Sequence, residues 1–235
     1  MGHTLDSVAS VTSVVSLRQV EDQIRTAVTS CTACALRAGC RAPVPFDGTL
    51  AAPLAVYGEA PGGTEDVEGL PFQGPSGLLF NRTLAALGWG RDRCYVSNTV
   101  KCRPPNNEKP KRLQVGACHP HLEAELAAGQ FRVVLALGAT AISALTGEHG
   151  AVSAFIPRLD LRVAVGGRDV PVVACYHPSY ILRRRSEGRD AYEAAMQVFA
   201  NQLRRAIGIA AEDVVDHSEC DPDVPPEGEQ DLPQV

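Results

Sequence analysis

Four cysteines with two local spacings and one long gap, Cys31-x2-Cys34 and then Cys102-x15-Cys118, tie three distant stretches of chain into one candidate metal site. Four thiolates hold either a tetrahedral zinc ion or a cubane of iron and sulfide, and a CxxC pair alone does not choose between them. Zinc ribbons usually bring two close CxxC pairs together on adjacent turns. Here fifteen residues separate the third and fourth ligands, too many for such a knuckle, and the spacing favours an iron-sulfur cluster. The eight cysteines of the chain could instead form disulfides. No charged-then-apolar leader opens the sequence, however, so reduced thiols and a cytoplasmic protein are expected. Cys40 stands near the first pair and leaves the ligand set ambiguous. Cys94 and Cys175 flank strand-like runs and read as small buried apolar residues.

No apolar run approaches the length needed to cross a membrane, and 235 residues suit one compact domain with frayed ends. Residues 212–235 hold nine acidic side chains, several prolines and no Lys or Arg, the composition of a disordered tail. Setting that tail aside changes the charge argument, because 22 basic residues then face 18 acidic ones and the body carries about +4. An acidic overall balance therefore does not exclude a polyanionic partner. Basic residues also cluster, with Lys101, Arg103, Lys109, Lys111 and Arg112 in one segment and Arg183, Arg184 and Arg185 in another. Charge runs are usually solvated faces, so alone they favour nucleic acid only weakly. The expected organisation is a flexible N-terminus at 1–13, a domain at 14–209 and the acidic tail at 210–235.

The elements that must position these groups follow from periodicity. Residues 14–29 pattern as a helix leading into the first cysteine pair, and 54–57 as a short buried strand ending at a glycine. GPSGLLFNRTLAALG at 74–88 predicts a helix with a glycine stop. Residues 94–98 read as a second strand, 111–127 as a helix, 131–137 as a third strand and 139–146 as the helix after it. Residues 170–175 make a fourth core strand, with 161–165 as an edge hairpin partner, and 190–207 form a final helix. This alternation predicts an α/β fold, a central four-stranded parallel sheet covered by helices on both faces. In such sheets the site lies at the carboxyl ends of the strands. GEAPG, Asn98, Gly138 and YHPSY follow the four strands and should converge on one crevice.

GEAPGGTEDVEGLPFQGPSG at 58–77, YVSNTVKCRPP at 95–105 and YHPSYILR at 176–183, in that order and with the cysteine spacing, resemble the iron-sulfur uracil-DNA glycosylases, the family-4 group of that superfamily. The likeness covers residues 28–208. Any one motif would be modest evidence, and four in series are strong. The resemblance implies a four-stranded parallel sheet between helices and a 4Fe-4S cluster of structural rather than redox role, on Cys31, Cys34, Cys102 and Cys118. It further implies excision of uracil from single- or double-stranded DNA by a nucleoid-associated monomer.

Family roles transfer where positions match, and the chemistry gives each a reason. Cleaving the glycosidic bond of deoxyuridine needs the base outside the stack and a pocket that reads its edge. It also needs help for a departing uracil anion and for a sugar gaining positive charge. Phe72, set among glycines and a proline, would stack on the extruded ring. The Asn98 amide can match O4 and N3–H of uracil while presenting the wrong pair to cytosine. His177, held extended by the following proline, would donate to uracil O2 as charge develops there, and a neutral imidazole suffices. Glu59 would orient water near C1′ or offset the charge of the sugar, and Ala60 would add backbone contacts. Ser76 and Gly77, opening a helix, would receive a phosphate. Ser179 and Arg183 would hold the backbone on the other side, with Ile181 or Leu182 as an apolar wedge. Each has a blander alternative: core aromatic for Phe72, turn residue for Asn98, structural imidazole for His177, surface acid or helix cap for Glu59, core packing for Leu182.

His119 and His121 occupy the CHPHL segment where relatives commonly carry an arginine and an aromatic. A related branch traps uracil-DNA covalently through a histidine inserted before the last cysteine. Residues 103–117 contain no histidine and no long insertion, which argues for turnover. The arginine-rich stretch after YHPSYIL keeps a covalent binder open as an alternative. A zinc- or cluster-stabilised DNA-binding module without catalysis is the third reading.

Overall fold

In the computed structural model, which describes residues 15–212, the first helix begins where a reciprocal cap can form. Ser16 Oγ accepts the Gln19 N–H, and Gln19 Oε1 accepts the Ser16 N–H at 2.8 Å, so α1 (Leu17–Thr29) starts with two of its free donors satisfied. A single turn, α2 (Leu36–Gly39), follows within the cysteine-rich segment. The chain then alternates: β1 (Leu54–Gly58), α3 (Gly63–Glu68), α4 (Pro75–Ala86), β2 (Cys94–Asn98), α5 (Arg112–Ala128) and β3 (Val133–Leu137). After these come α6 (Ala139–Thr146), α7 (Val152–Phe155), the hairpin β4 (Arg162–Val165) and β5 (Arg168–Cys175), then α8 (Pro178–Arg184) and α9 (Arg189–Ala211). The expected segment at 1–13 and the tail beyond residue 212 lie outside the described residues.

The sheet runs β2-β1-β3-β5-β4, and its first four strands are parallel. All residues of β1, β2 and β3 are buried, as parallel strands covered on both faces must be. Side chains alternate between the two layers. Leu54 and Val56 pack with Phe80, Leu84, Phe199 and Leu203 from α4 and α9, whereas Ala55 and Tyr57 face Leu122, Leu126 and Ile142 from α5 and α6. Each large side chain so buried contributes about 1.5–3 kcal/mol.

The sheet has five strands, not the four expected. The four parallel strands are those read from the sequence, and the additional one is the edge strand β4, antiparallel to β5. Gly166 and Gly167, at φ 54° and 77°, make the two-residue turn that such a hairpin requires. Arg162 and Ala164 of β4 face solvent, so the strand carries little of the apolar signal that marks a core strand.

Gly58 is level with Asn98 across β1 and β2, and Leu137 with Cys175 across β3 and β5. The four parallel strands therefore end side by side, and the loops leaving them meet.

Candidate functional site

Those loops enclose a crevice of about 950 Å³, lined by Glu59, Ala60, Phe72, Asn98 and His177, together with Ser76, Ser179 and Arg183. Gly58 makes the convergence possible. A β-carbon there would stand 2.5 Å from Asn98 Oδ1 and 2.8 Å from the Phe72 ring, so any larger residue would push both out of place. The Phe72 ring is buried, with its centroid 5.6 Å from that of Phe80 and 6.0 Å from that of His177.

Phe72 adopts φ 59°, a left-handed conformation that costs a non-glycine residue roughly 1–3 kcal/mol. The buried Glu65 side chain holds it there. One carboxylate oxygen accepts the Gln73 and Gly74 N–H groups at 3.0 and 2.8 Å, and the other accepts the Gly62 N–H at 3.0 Å. Glu65 thus staples the loop after β1 to the loop carrying Phe72. Its role was not read from the sequence, although a glutamate three residues after a helix-starting glycine is a capping signal. Gln at this position keeps the shape but turns an amide donor toward a backbone N–H. Glu65→Gln is expected to lower stability by about 1–3 kcal/mol and to weaken binding of uracil-containing DNA. Denaturant melts and fluorescence anisotropy check both effects.

Gly77, expected to help receive a phosphate, also has a packing role. It is buried, and a β-carbon would lie 1.8 Å from the Phe72 carbonyl oxygen, so α4 can close on the Phe72 loop only through glycine. Ser76, half-exposed beside it, lines the crevice.

His177 caps α8. Its Nδ1 accepts the Ser179 backbone N–H at 3.2 Å and faces the Ser179 hydroxyl at 2.9 Å. Because a backbone N–H can only donate, Nδ1 carries no proton, and the neutral ring bears its N–H at Nε2. Burial first, and then the nearby Arg183 charge, bring the His177 pKa down to about 4, with Glu65 pulling the other way. The imidazole is therefore a neutral donor at physiological pH. The Ser179 hydroxyl is occupied in setting this tautomer.

Ile181, expected as an apolar wedge, is fully buried against the layer formed by α4 and α9. On a short helix one face must be core, and Ile181 is on it; Leu182 is half-buried and Arg183 exposed. Glu59 follows β1 and lines the crevice, where its carboxylate accepts a hydrogen bond from the Thr140 hydroxyl at the start of α6. No local signal pointed to Thr140, since the contact spans 81 residues.

The cysteines converge beside this crevice. Cys40, Cys102 and Cys118 are buried, Cys31 and Cys34 partly so, and Cys34, Leu36, Val100 and Val115 pack in the same cluster. Ala60 touches that cluster and also lines the crevice. Burial raises the Cys102 thiol, with Cys40, Cys118 and Cys34 raising it further; burial also raises Cys118, against the neighbouring Lys101. Such crowded thiols ionise when a cationic centre supplies the charge. The Lys101 backbone N–H donates to Cys118 Sγ at 3.5 Å, the kind of contact that supports a metal-bound thiolate. Among the described residues no three Cys, His, Asp or Glu side chains are placed to hold a single ion. Lys101 itself, read from the sequence with the basic run, is 1% exposed and cannot face a phosphate.

The model of the uracil DNA glycosylase superfamily matches residues 45–204. The chain is 34% identical to a type-4 uracil-DNA glycosylase of Pyrobaculum aerophilum, over 67% of this chain and 82% of that one. It is 38% identical to the type-4 enzyme of Thermotoga maritima, over 68% and 81%, and 35% identical to that of Archaeoglobus fulgidus, over 74% and 88%. With a sheet whose strand ends frame one crevice, and with relatives matched over most of their length, the chain belongs to the uracil-DNA glycosylase superfamily, on its type-4 branch.

Proposed function

We propose that this protein hydrolyses the N-glycosidic bond of deoxyuridine in DNA, releasing uracil and leaving an abasic site. One observation carries the reading: a ring, an amide and a neutral imidazole donor line one crevice at the strand ends. The extruded uracil stacks on Phe72, whose loop is held rigid by Glu65. The Asn98 amide reads O4 and N3–H. His177 Nε2–H donates to O2 and strengthens as the departing ring becomes an anion. Glu59, oriented by Thr140, directs water toward C1′ and offsets the positive charge of the sugar. Ala60 closes the pocket through its backbone. Ser76 and Arg183 line the same crevice and would meet the flanking phosphates.

Cys31, Cys34, Cys102 and Cys118 are the residues to hold a 4Fe-4S cluster, with Cys40 as an adjacent fifth thiol. The long spacing between Cys102 and Cys118 favours a sulfide-bridged cluster over a zinc knuckle, and Cys34, Cys102 and Cys118 share one apolar cluster of side chains. Bound there, the cluster supplies a rigid cross-link between the segment before β1 and the two ends of the 102–118 segment. We read the protein as a monomer acting on nucleoid DNA, single- or double-stranded, through the domain at 14–209.

The test is a labelled uracil oligonucleotide incubated with the protein and resolved after alkali beside a denaturing adduct gel. Strand scission without adduct is expected; a denaturation-resistant adduct would make the protein a covalent binder, and neither would make it a binding module. Asn98→Asp keeps an acceptor for uracil N3–H but turns a second acceptor toward O4, and offers a better match to the cytosine amino group. Its uracil rate is expected to fall at least ~100-fold with a smaller uracil-over-cytosine preference, measured under single-turnover conditions. An unchanged preference would place base reading elsewhere.

A further inference from the structure

The buried Lys101 has no place in the chemistry above, yet it touches both halves of the site. Its ammonium donates to the Asn98 carbonyl at 2.8 Å, to Ser97 Oγ at 2.7 Å and to Glu125 Oε1 at 2.6 Å. Its backbone N–H points at Cys118 Sγ, and its side chain is 1% exposed. Glu125, fully buried on α5, also accepts the Ser97 hydroxyl at 3.3 Å. Its other oxygen and the buried Tyr57 and Tyr95 hydroxyls make no hydrogen bond, although the Glu125 charge is felt at both phenols. Burial, and the nearby Glu125 charge, hold both phenols protonated.

We propose that Lys101 is a positioning residue: its ammonium, anchored on Glu125 of the cysteine-bearing helix α5, fixes the end of β2 so that the Asn98 amide meets the base in register. The proposal rests on the reading of Asn98 as the base reader. A buried ion pair is a poor source of stability, since a well-packed apolar pair of the same volume does as well. What it supplies is direction. From the loop after β2 the lysine reaches three residues back to the Asn98 carbonyl and across to α5, while its backbone N–H donates to Cys118 Sγ. Movement at the cysteines is therefore passed to the peptide that carries the reading amide, without any group touching the base.

The experiment is a double-mutant cycle on the full chain loaded with iron and sulfide. Lys101→Met/Glu125→Leu removes both charges together, so no unpaired ion is left in the core, and it is made with and without Asn98→Ala. The readout is the ratio of affinities for oligonucleotides carrying 2′-fluorodeoxyuridine or 2′-fluorodeoxycytidine, analogues that resist cleavage, by anisotropy. With Asn98 present the substitutions are expected to lower that ratio about 10-fold, and with Asn98→Ala less than about 2-fold. Equal factors in both backgrounds, or an unchanged ratio with Asn98 present, overturn the proposal. If Asn98→Ala alone keeps the full ratio, the base-reading assignment fails instead, a separate result. Should the paired variant not load its cluster, Glu125→Gln enters the same cycle, with about 3-fold against none as the expected pattern and equal factors again overturning it.

Discussion

His177→Ala is expected to excise uracil about 100- to 1,000-fold more slowly under single-turnover conditions, the usual cost of losing one donor to a developing oxyanion. Affinity for undamaged DNA should stay unchanged, because the proposed phosphate contacts lie on other residues, and so should iron and sulfide content, because the ring lies outside the thiol cluster. The pH profile gives the sharper check. Free histidine titrates near 6.5, but burial holds His177 to about 4. Between these values the unfolded chain binds a proton that the folded one refuses, so this residue's contribution to stability falls as pH drops from 6.5 to 4 and is level below. The excision rate should show no inflection near 6.5. It should fall around pH 4, when a proton on Nδ1 breaks the cap from the Ser179 N–H. An inflection near 6.5 that vanishes in the alanine variant would show that an imidazolium, not a neutral ring, is the working form.

Cys118→Ser is expected to lose iron and acid-labile sulfide together and to melt more than ~10 °C lower, at about 2–4 °C per kcal/mol for a domain of this size. The reason is the poverty of apolar contact around the site. Leu36, Val44 and Val100 are the buried aliphatic side chains there, against a backbone ordering cost of about 1–2 kcal/mol per residue. Without the cross-link, hydrogen exchange should quicken across 31–44 and 100–118 while α9 and the central strands stay protected. Uracil-DNA affinity should fall with it, since Ala60 and Lys101 join the thiol pocket to the crevice. A serine variant that keeps its iron, sulfide and melting temperature would move the fourth ligand to Cys40. Zinc in the wild-type protein, in place of iron and sulfide, would overturn the cluster.

Much of this was legible before any coordinates. The runs at 54–57, 94–98 and 170–175 are apolar and bounded by glycine, proline or asparagine, so each announces a strand locally. The loops that follow carry Glu59, Asn98 and His177, and strand-end geometry brings them together. The edge strand β4 was seen only as a hairpin partner, because its exposed residues blur the apolar pattern. Ile181 is misplaced for a related reason: motif position says where a residue sits in the chain, not which side of a helix meets the core.

The sequence by itself determined the chemistry available here, namely four spaced thiols, an amide, an imidazole and a carboxylate on loops after buried strands. Only the tertiary structure decided which charged side chains turn inward. Lys101 meets Glu125 across 24 residues, Glu65 meets Gly74 across nine, and Thr140 meets Glu59 across 81. Whether a charge is solvated or buried depends on the partner that folding delivers from elsewhere in the chain. That pairing is a relation between segments, and no local pattern of residues contains it.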